Sequence, residues 1–396
     1  MSRLDRAKDV VFKIHIAVLV FVLLLGAVEL VARQWCRKLV SAHREMREPA
    51  YLEAYRGLEG VEEHLANLRA SDMTLRYQPY CLWGLSEVRS STYNVLPDWG
   101  GIRKTVNPSK PDPRRRTRVF LFGGSTAFCS RLPDRYTLAS CLSANLNGRY
   151  PDVEFSVTNF SRGGYLSDQE VVLLTQVLTA GETPDLVVFY DGVNDTINKV
   201  CKGIPHYHYY RFRSVETGGK PRVGLLEAAS QYEYVGQLAG LLAKRPPDEA
   251  HYVTDPEQLL ENARAMAARY RQNLAFVQKL GRAYGFRTVF FWQPDLLTTA
   301  RAMTDEEAAI LRDDPQAAVW RPGFEIADRV IRDTMRGEET FYDLSDALDG
   351  VEGTVFFDVC HVSARANEEI GDRIAEALTQ GGYLGEQKAG SAGRDD

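Results

Sequence analysis

The chain has 396 residues, of which 44% are hydrophobic and 26% charged, and a formal net charge of -5. That length suffices for one large domain or two ordinary ones, and the composition is that of a globular protein, which excludes a largely disordered chain. The acidic balance offers no basic face for nucleic acid, and the short run Arg114, Arg115 and Arg116 reads as a solvated linker ahead of a strand.

Residues 14–28 are nearly all apolar, with Lys13 and Glu29 at the edges. Adding 10–12 and 30–32 makes a stretch close to the roughly 20 residues that span a bilayer. No small-x-small cleavage site comes after it, so an uncleaved N-terminal membrane anchor at 1–34 is preferred to a removed signal peptide. Basic residues flank both sides: Arg3, Arg6, Lys8 and Lys13 before the span, Arg33, Arg37, Lys38 and Arg44 after it. The positive-inside rule therefore gives no orientation. Residues 35–115 read as a stalk and N-terminal extension, charged and helical to about Glu63, with Pro49 as a break. Pro79, Pro97 and Pro108 punctuate residues 71–110, and Tyr77, Tyr80, Trp83 and Trp99 predict that this segment packs on the main domain.

From Arg116 the pattern becomes regular, and a main domain is predicted over 116–380. The apolar run 118–122 (RVFLF) ends in Gly123-Gly124 and reads as a buried strand entering a turn. Helical spacing covers 138–146, and 153–159 alternates as a second strand. A helix over 167–180 has Ser167 as its predicted N-cap and Gly181 as its stop. Residues 185–190 (DLVVFY) are a third strand, 256–284 a helix stopped by Gly285, 287–292 (RTVFFW) a fourth strand, 341–344 a short fifth, and 363–379 the closing helix. Strands alternating with helices imply a parallel sheet covered on both faces, with sites beyond the carboxyl ends of the strands. Residues 196–255 carry no strand signal but hold the cluster His206, Tyr207, His208, Tyr209 and Tyr210. They read as an insertion over the site, a lid or a plain surface excursion. The tail 381–396 is Gly-, Ser- and charge-rich and predicted to be disordered.

Four short blocks carry chemistry. Ser125, in Phe122-Gly-Gly-Ser-Thr126, comes after the first strand; a tight glycine turn there can expose a hydroxyl and aim a backbone amide at a reacting oxygen. Gly164, in the block 159–164, comes after the second strand and can bring its backbone N–H close to a ligand. Asn194, in Gly192-Val-Asn-Asp195, comes after the third and can donate its amide to a developing oxyanion. Asp358-Val-Cys-His361 precedes the last helix, so that one loop can present a base and the carboxylate that orients it. Taken singly, each also reads as an ordinary cap or turn. No metal site is indicated: His206 and His208 alternate without further ligands. Nor is a cofactor indicated, since the first turn lacks GxGxxG and GxxxxGK[ST]. The cysteines at 36, 81, 129, 141, 201 and 360 form no CxxC pair and read as small buried apolar residues.

In their order and residue types the four blocks resemble the SGNH/GDSL hydrolases, over roughly 116–378. The stretches 188–195 and 290–294 look like a membrane-anchored bacterial branch of that family. The resemblance implies a flavodoxin-like three-layer α/β/α sandwich with a parallel sheet. It also implies Ser125 as nucleophile, His361 as base and Asp358 as its partner. The oxyanion hole would be the Ser125 and Gly164 amides with the Asn194 side chain. Gly124 stands where GDSL enzymes carry Asp, and Ala366 where a glycine is common. The function implied is hydrolysis of acyl esters, O-acetyl esters of an extracytoplasmic polysaccharide among them, by a domain held at the membrane outside the cytoplasm. An O-acyltransferase with the same triad and a non-catalytic glycan-binding or assembly subunit are the alternatives.

Overall fold

The computed structural model describes residues 12, 13, 15–17, 19–21, 24, 52–71, 74–204 and 252–385. The chain divides into two units, and the strands described all belong to the one formed by Ala50–Glu216 and Glu249–Asp396. Most of the predicted anchor 1–34 lies outside the described residues, among which no helix is long and apolar enough to cross a membrane. The tail 386–396 and most of the insertion, 205–251, also lie outside them.

The elements that build the fold are α1 (Val61–Ala70), the hairpin β1 (Leu75–Gln78) and β2 (Leu82–Leu85), and the short strands β3 (Val95–Leu96) and β4 (Ile102–Arg103). Then come β5 (Arg115–Gly123), α2 (Leu138–Arg149), β6 (Val153–Asn159), α3 (Ser167–Thr179) and β7 (Leu186–Asp191). After the insertion stand α4 (Pro256–Tyr284), β8 (Arg287–Trp292), α5 (Asp305–Asp313), α6 (Pro315–Thr334), β9 (Phe341–Asp343) and α7 (Ala364–Gln380). One sheet runs β3-β4-β6-β5-β7-β8-β9, parallel from β6 to β9 and antiparallel at β3 and β4.

Alternation along β5 explains the layering. Val119 and Leu121 face one core with α2 and α7, through Leu138, Leu142, Ile370 and Ile374. Phe120 and Phe122 face the other, with α3, α4 and α6, through Leu174, Leu274 and Ile331. Successive strand side chains point to opposite faces, so a β-strand buried on both sides reads as a continuous apolar run. On the second face Phe122, Phe189 and Phe290 sit in register on β5, β7 and β8 and stack at 5.3 and 4.7 Å between ring centroids. Such aromatic neighbours add packing energy beyond the area they bury.

Several sequence expectations need correction. The first strand begins at Arg115, inside the arginine run: Arg115 donates to the Leu384 carbonyl at 2.5 Å and Arg116 pairs with Glu154 at 3.2 Å, while Arg114 lies ahead of the strand and is exposed. Ser167 does not cap α3. Leu166 holds the N-cap position, and the Ser167 N–H and hydroxyl both donate to Asp195, at 3.0 and 2.9 Å. A buried carboxylate outcompetes a local cap here because it needs those donors. Helices α5 and α6 are not among the elements expected from the sequence; α5 opens on a Thr304–Glu307 capping box, and Asp314, Pro315 and Pro322 of α6 look like breakers. In the fold Asp314 caps α6 with Pro315 in its first turn, and Pro322 sits inside that helix. Of the four aromatics expected to pack the extension down, Trp83 is buried while Tyr77 and Tyr80 are exposed. Arg103, fully buried, also ties the extension to the main domain: it pairs with Asp134, donates to the Leu132 carbonyl at 2.7 Å and lies 4.1 Å from the Tyr93 ring.

Candidate active site

The carboxyl ends of β5, β6, β7 and β8 lead into four short loops. At the end of β5, Gly123 is required by crowding: a Cβ there would lie 2.6 Å from the Tyr190 carbonyl and 2.7 Å from Ala127. Gly124 is extended (φ -81°, ψ -153°), and Ser125 opens the single helical turn Ser125–Phe128. That places Ser125 where N–H groups point outward without intrahelical partners. Asn159, at the end of β6, ties its own loop to this turn by donating to the Ala127 carbonyl at 2.9 Å. Gly164 comes next with φ 81°, a conformation that favours glycine. Gly192 (φ 141°) then starts the turn Val193–Asp195 that carries Asn194.

Three of these loops meet at Asn194. Its Nδ2 donates to the Tyr165 carbonyl, next to Gly164, at 2.9 Å. A Cβ on Gly124 would collide with the same nitrogen. So the Asn194 amide lies against the backbone that leads into Ser125, with the Gly164 turn beside it. The glycine at 124, a departure when only the sequence is considered, is what leaves room for that amide. Gly124→Ala is sterically harmless to the local backbone, because its φ and ψ suit alanine. It should displace Asn194 and, on the reading of Asn194 as an oxyanion donor in an esterase, lower kcat on an activated ester by about 10²–10³-fold. A melting curve close to wild type with that loss is the expected pair of results; an unchanged kcat would mean that Asn194 does not serve the oxyanion.

Asp358 and His361 share one tight turn, closed by the Phe357 N–H donating to the His361 carbonyl at 2.8 Å and by the Phe356–Val362 bridge. Asp358 Oδ1 accepts from the backbone N–H of Cys360 (3.0 Å) and His361 (2.8 Å). Oδ2 lies 2.8 Å from His361 Nδ1 and 2.6 Å from Nη2 of Arg131. Burial alone would raise the Asp358 carboxyl. The charges of His361 and Arg131 and the hydrogen bonds from His361 outweigh it and hold the group well below the usual carboxylate range. His361 Nε2 is buried and has no hydrogen-bond partner among the described residues. The structure thus brings Asp358 and His361 together and leaves the nitrogen that would accept a proton unengaged; a Ser125–His361 hydrogen bond is not formed.

Arg131 had no signal in the sequence, yet it joins the loop after Ser125 to the Asp358 turn. Its own carbonyl accepts from Tyr55 Oη at 2.5 Å and His64 Nε2 at 2.9 Å, and the Tyr55 ring lies 4.6 Å from Phe357. Gln293, after β8, accepts from the Thr126 hydroxyl at 2.7 Å, while its own Nε2 is buried without a partner among the described residues. Asp358, Cys360 and His361 bring one ligand atom each within 4.8 Å of one another. Arg131 pairs with the Asp358 carboxylate, and burial pushes the Cys360 thiol up. The described cysteines, 81, 129, 141, 201 and 360, are buried and free.

No protein-family model and no curated protein matches this chain. Among solved structures, it is similar to TesA at 16% identity, covering 67% of this chain and 99% of that one, with a TM-score of 0.34. It is similar to Axe2, an acetylxylan esterase from Geobacillus stearothermophilus, at 11% identity, covering 70% of this chain and 98% of that one, with a TM-score of 0.34. A protein from Desulfitobacterium hafniense DCB-2 assigned to the lipolytic G-D-S-L family is similar at 11% identity, covering 66% and 99%, with a TM-score of 0.35.

Proposed function

We propose that this chain is a serine ester hydrolase of the SGNH/GDSL type. The observation that carries this reading is the Asp358–His361 pair, presented on one turn with Nε2 unengaged and tied by Arg131 to the loop after Ser125. In this mechanism Ser125 Oγ attacks the acyl carbonyl carbon and its proton passes to His361 Nε2. Asp358, still ionised, stabilises the imidazolium and keeps its Nδ1–H pointed inward. The Ser125 and Gly164 N–H groups and Asn194 Nδ2 receive the oxyanion. His361 then protonates the departing alcohol, and water, activated by the same nitrogen, releases the acid.

The substrates are acyl esters, O-acetyl esters of an extracytoplasmic polysaccharide first among them, with residues 1–34 as the membrane anchor. Acyl transfer to a sugar hydroxyl is the alternative that would use the same triad. Both readings share the acyl-enzyme. Incubating the full-length chain with an activated acetate ester, quenching in acid and mapping the acetyl group by mass spectrometry should find it on Ser125. Turnover with the acetyl group on another residue, or on none, would remove the reading. Adding an oligosaccharide acceptor then separates released acetate from acetylated sugar.

A further inference from the structure

The turn that carries Gly164 is gripped by the N-terminal extension. This turn, Arg162 to Tyr165, is closed by the Tyr165 N–H donating to the Arg162 carbonyl at 3.2 Å, with Gly164 in third place at φ 81°. The Gly164 N–H donates to no backbone carbonyl among the described residues. The other three residues of the turn all bond to the extension. Trp83, on β2, donates its Nε1–H to the Gly163 carbonyl at 3.3 Å, and its own carbonyl accepts the Tyr165 hydroxyl at 2.5 Å. The Trp83 and Tyr165 rings meet edge to face at 5.4 Å. Arg162 Nη2 donates to the Trp99 carbonyl at 2.8 Å, which also accepts from Gln78 Nε2 of β1 at 3.2 Å.

Arg162 is fully buried, and no carboxylate pairs with it among the described residues. It donates instead to backbone carbonyls: Nη1 to those of Phe160 and Ser161, at 3.2 and 3.1 Å, and Nη2 to that of Trp99. A buried charge without a counter-ion is costly. Here it satisfies three carbonyls of irregular backbone at once, which the fan of guanidinium donors can do and a neutral side chain of similar size cannot. The Arg162 backbone N–H donates to the Gly123 carbonyl at 3.0 Å, just before the turn into Ser125, and the Tyr165 carbonyl accepts Asn194 Nδ2 at 2.9 Å. The Gly164 turn is thus fixed on one side by the extension and on the other by the loops of Ser125 and Asn194.

We propose that the extension completes the candidate active site: Trp83 and Trp99, through Arg162 and Tyr165, set this turn so that the Gly164 N–H faces the oxyanion. The inference rests on the reading of Gly164 as an oxyanion donor. Arg162, Tyr165 and Trp83 are positioning residues that act through the Gly164 backbone. A donor that meets its acceptor fully only in the transition state contributes to kcat and not to KM, so loosening the grip lowers kcat alone. A grip that served only the stability of the fold would leave kcat of the folded protein unchanged.

The test uses the full-length chain and two variants. Tyr165→Phe removes only the hydroxyl that bonds to Trp83; Arg162→Lys keeps the charge and loses the fan of donors. The first arm needs no turnover. Amide hydrogen exchange read by mass spectrometry should speed up about tenfold or more over residues 160–166 in each variant, while strand β8 exchanges as in the wild type. In the second arm, with an activated acetate ester well below the melting temperature, kcat should fall about tenfold in Tyr165→Phe and about 10²-fold in Arg162→Lys, with KM within about twofold. If Arg162→Lys does not fold, Tyr165→Phe carries both arms. Wild-type exchange over 160–166 in the folded variants would overturn the grip. Faster exchange there with kcat unchanged would overturn its link to Gly164. Faster exchange in a protein whose wild type turns over no ester would instead sink the esterase reading, and the positioning role with it.

Discussion

Replacing Ser125 by alanine should lower kcat for a short-chain activated acetate ester by about 10⁴–10⁶-fold, with KM changed by no more than about twofold. On the proposed reading the substitution removes the nucleophile. The hydroxyl is also dispensable to the fold. The hydrogen bond that Ser125 makes in the turn is through its carbonyl, to the Cys129 N–H at 2.9 Å, and alanine preserves it. A melting temperature close to wild type should therefore accompany the loss. The residual rate would come from the oxyanion donors and His361 acting on water. A variant that keeps about a tenth or more of the wild-type kcat would show that the ester is cleaved without Ser125.

The second large effect is expected of Asp358→Asn. Its Oδ1 accepts two backbone N–H groups, and its Oδ2 faces both His361 Nδ1 and Arg131. An amide keeps the shape but can satisfy only one of those oxygen positions; its NH₂ then faces a donor. The relief is for His361 to carry its proton on Nε2, which removes the base, and kcat should fall about 10⁴-fold. Stability supplies an independent readout. Folding depresses the Asp358 carboxyl, so its ionised form stabilises the fold above the ordinary carboxyl range and that support is lost as pH falls through the depressed value. Melting temperatures taken from about pH 7 to about pH 3 should fall less steeply in the variant than in the wild type. Parallel acid limbs would mean that the Asp358 charge does not contribute to the fold. By the same depression, a loss of kcat on mild acidification is not the titration of Asp358.

Much of the scaffold was legible because its signals are local. The runs 153–159, 256–284 and 287–292 were bounded to the residue by turn glycines, apolar period and a proline in the first turn, since each such signal acts within a few residues of itself. The strands β3 and β4 were not legible. They are two residues long and exist because Arg103, far from its partners in sequence, is anchored by Asp134 and the Leu132 carbonyl. Helix α6 was hidden by Asp314 and Pro315, which cap and open it in the fold but read as breakers when no packing partner is in view, whereas the Thr304–Glu307 capping box of α5 is a local signal that the sequence does carry.

The candidate site divides in the same way. Which residue types stand at the strand ends, Ser125, Gly164, Asn194 and the Asp358–His361 spacing, is a property of the sequence, and a single loop of four residues is short enough to dictate that its acid and imidazole meet. What sequence could not decide is everything that depends on loops far apart in the chain. Among these are the seat of the Asn194 amide over Gly124 and the grip of Arg131 on Asp358. Electrostatic energy depends on distance through a low-dielectric interior, and those distances come into being only when the sheet closes.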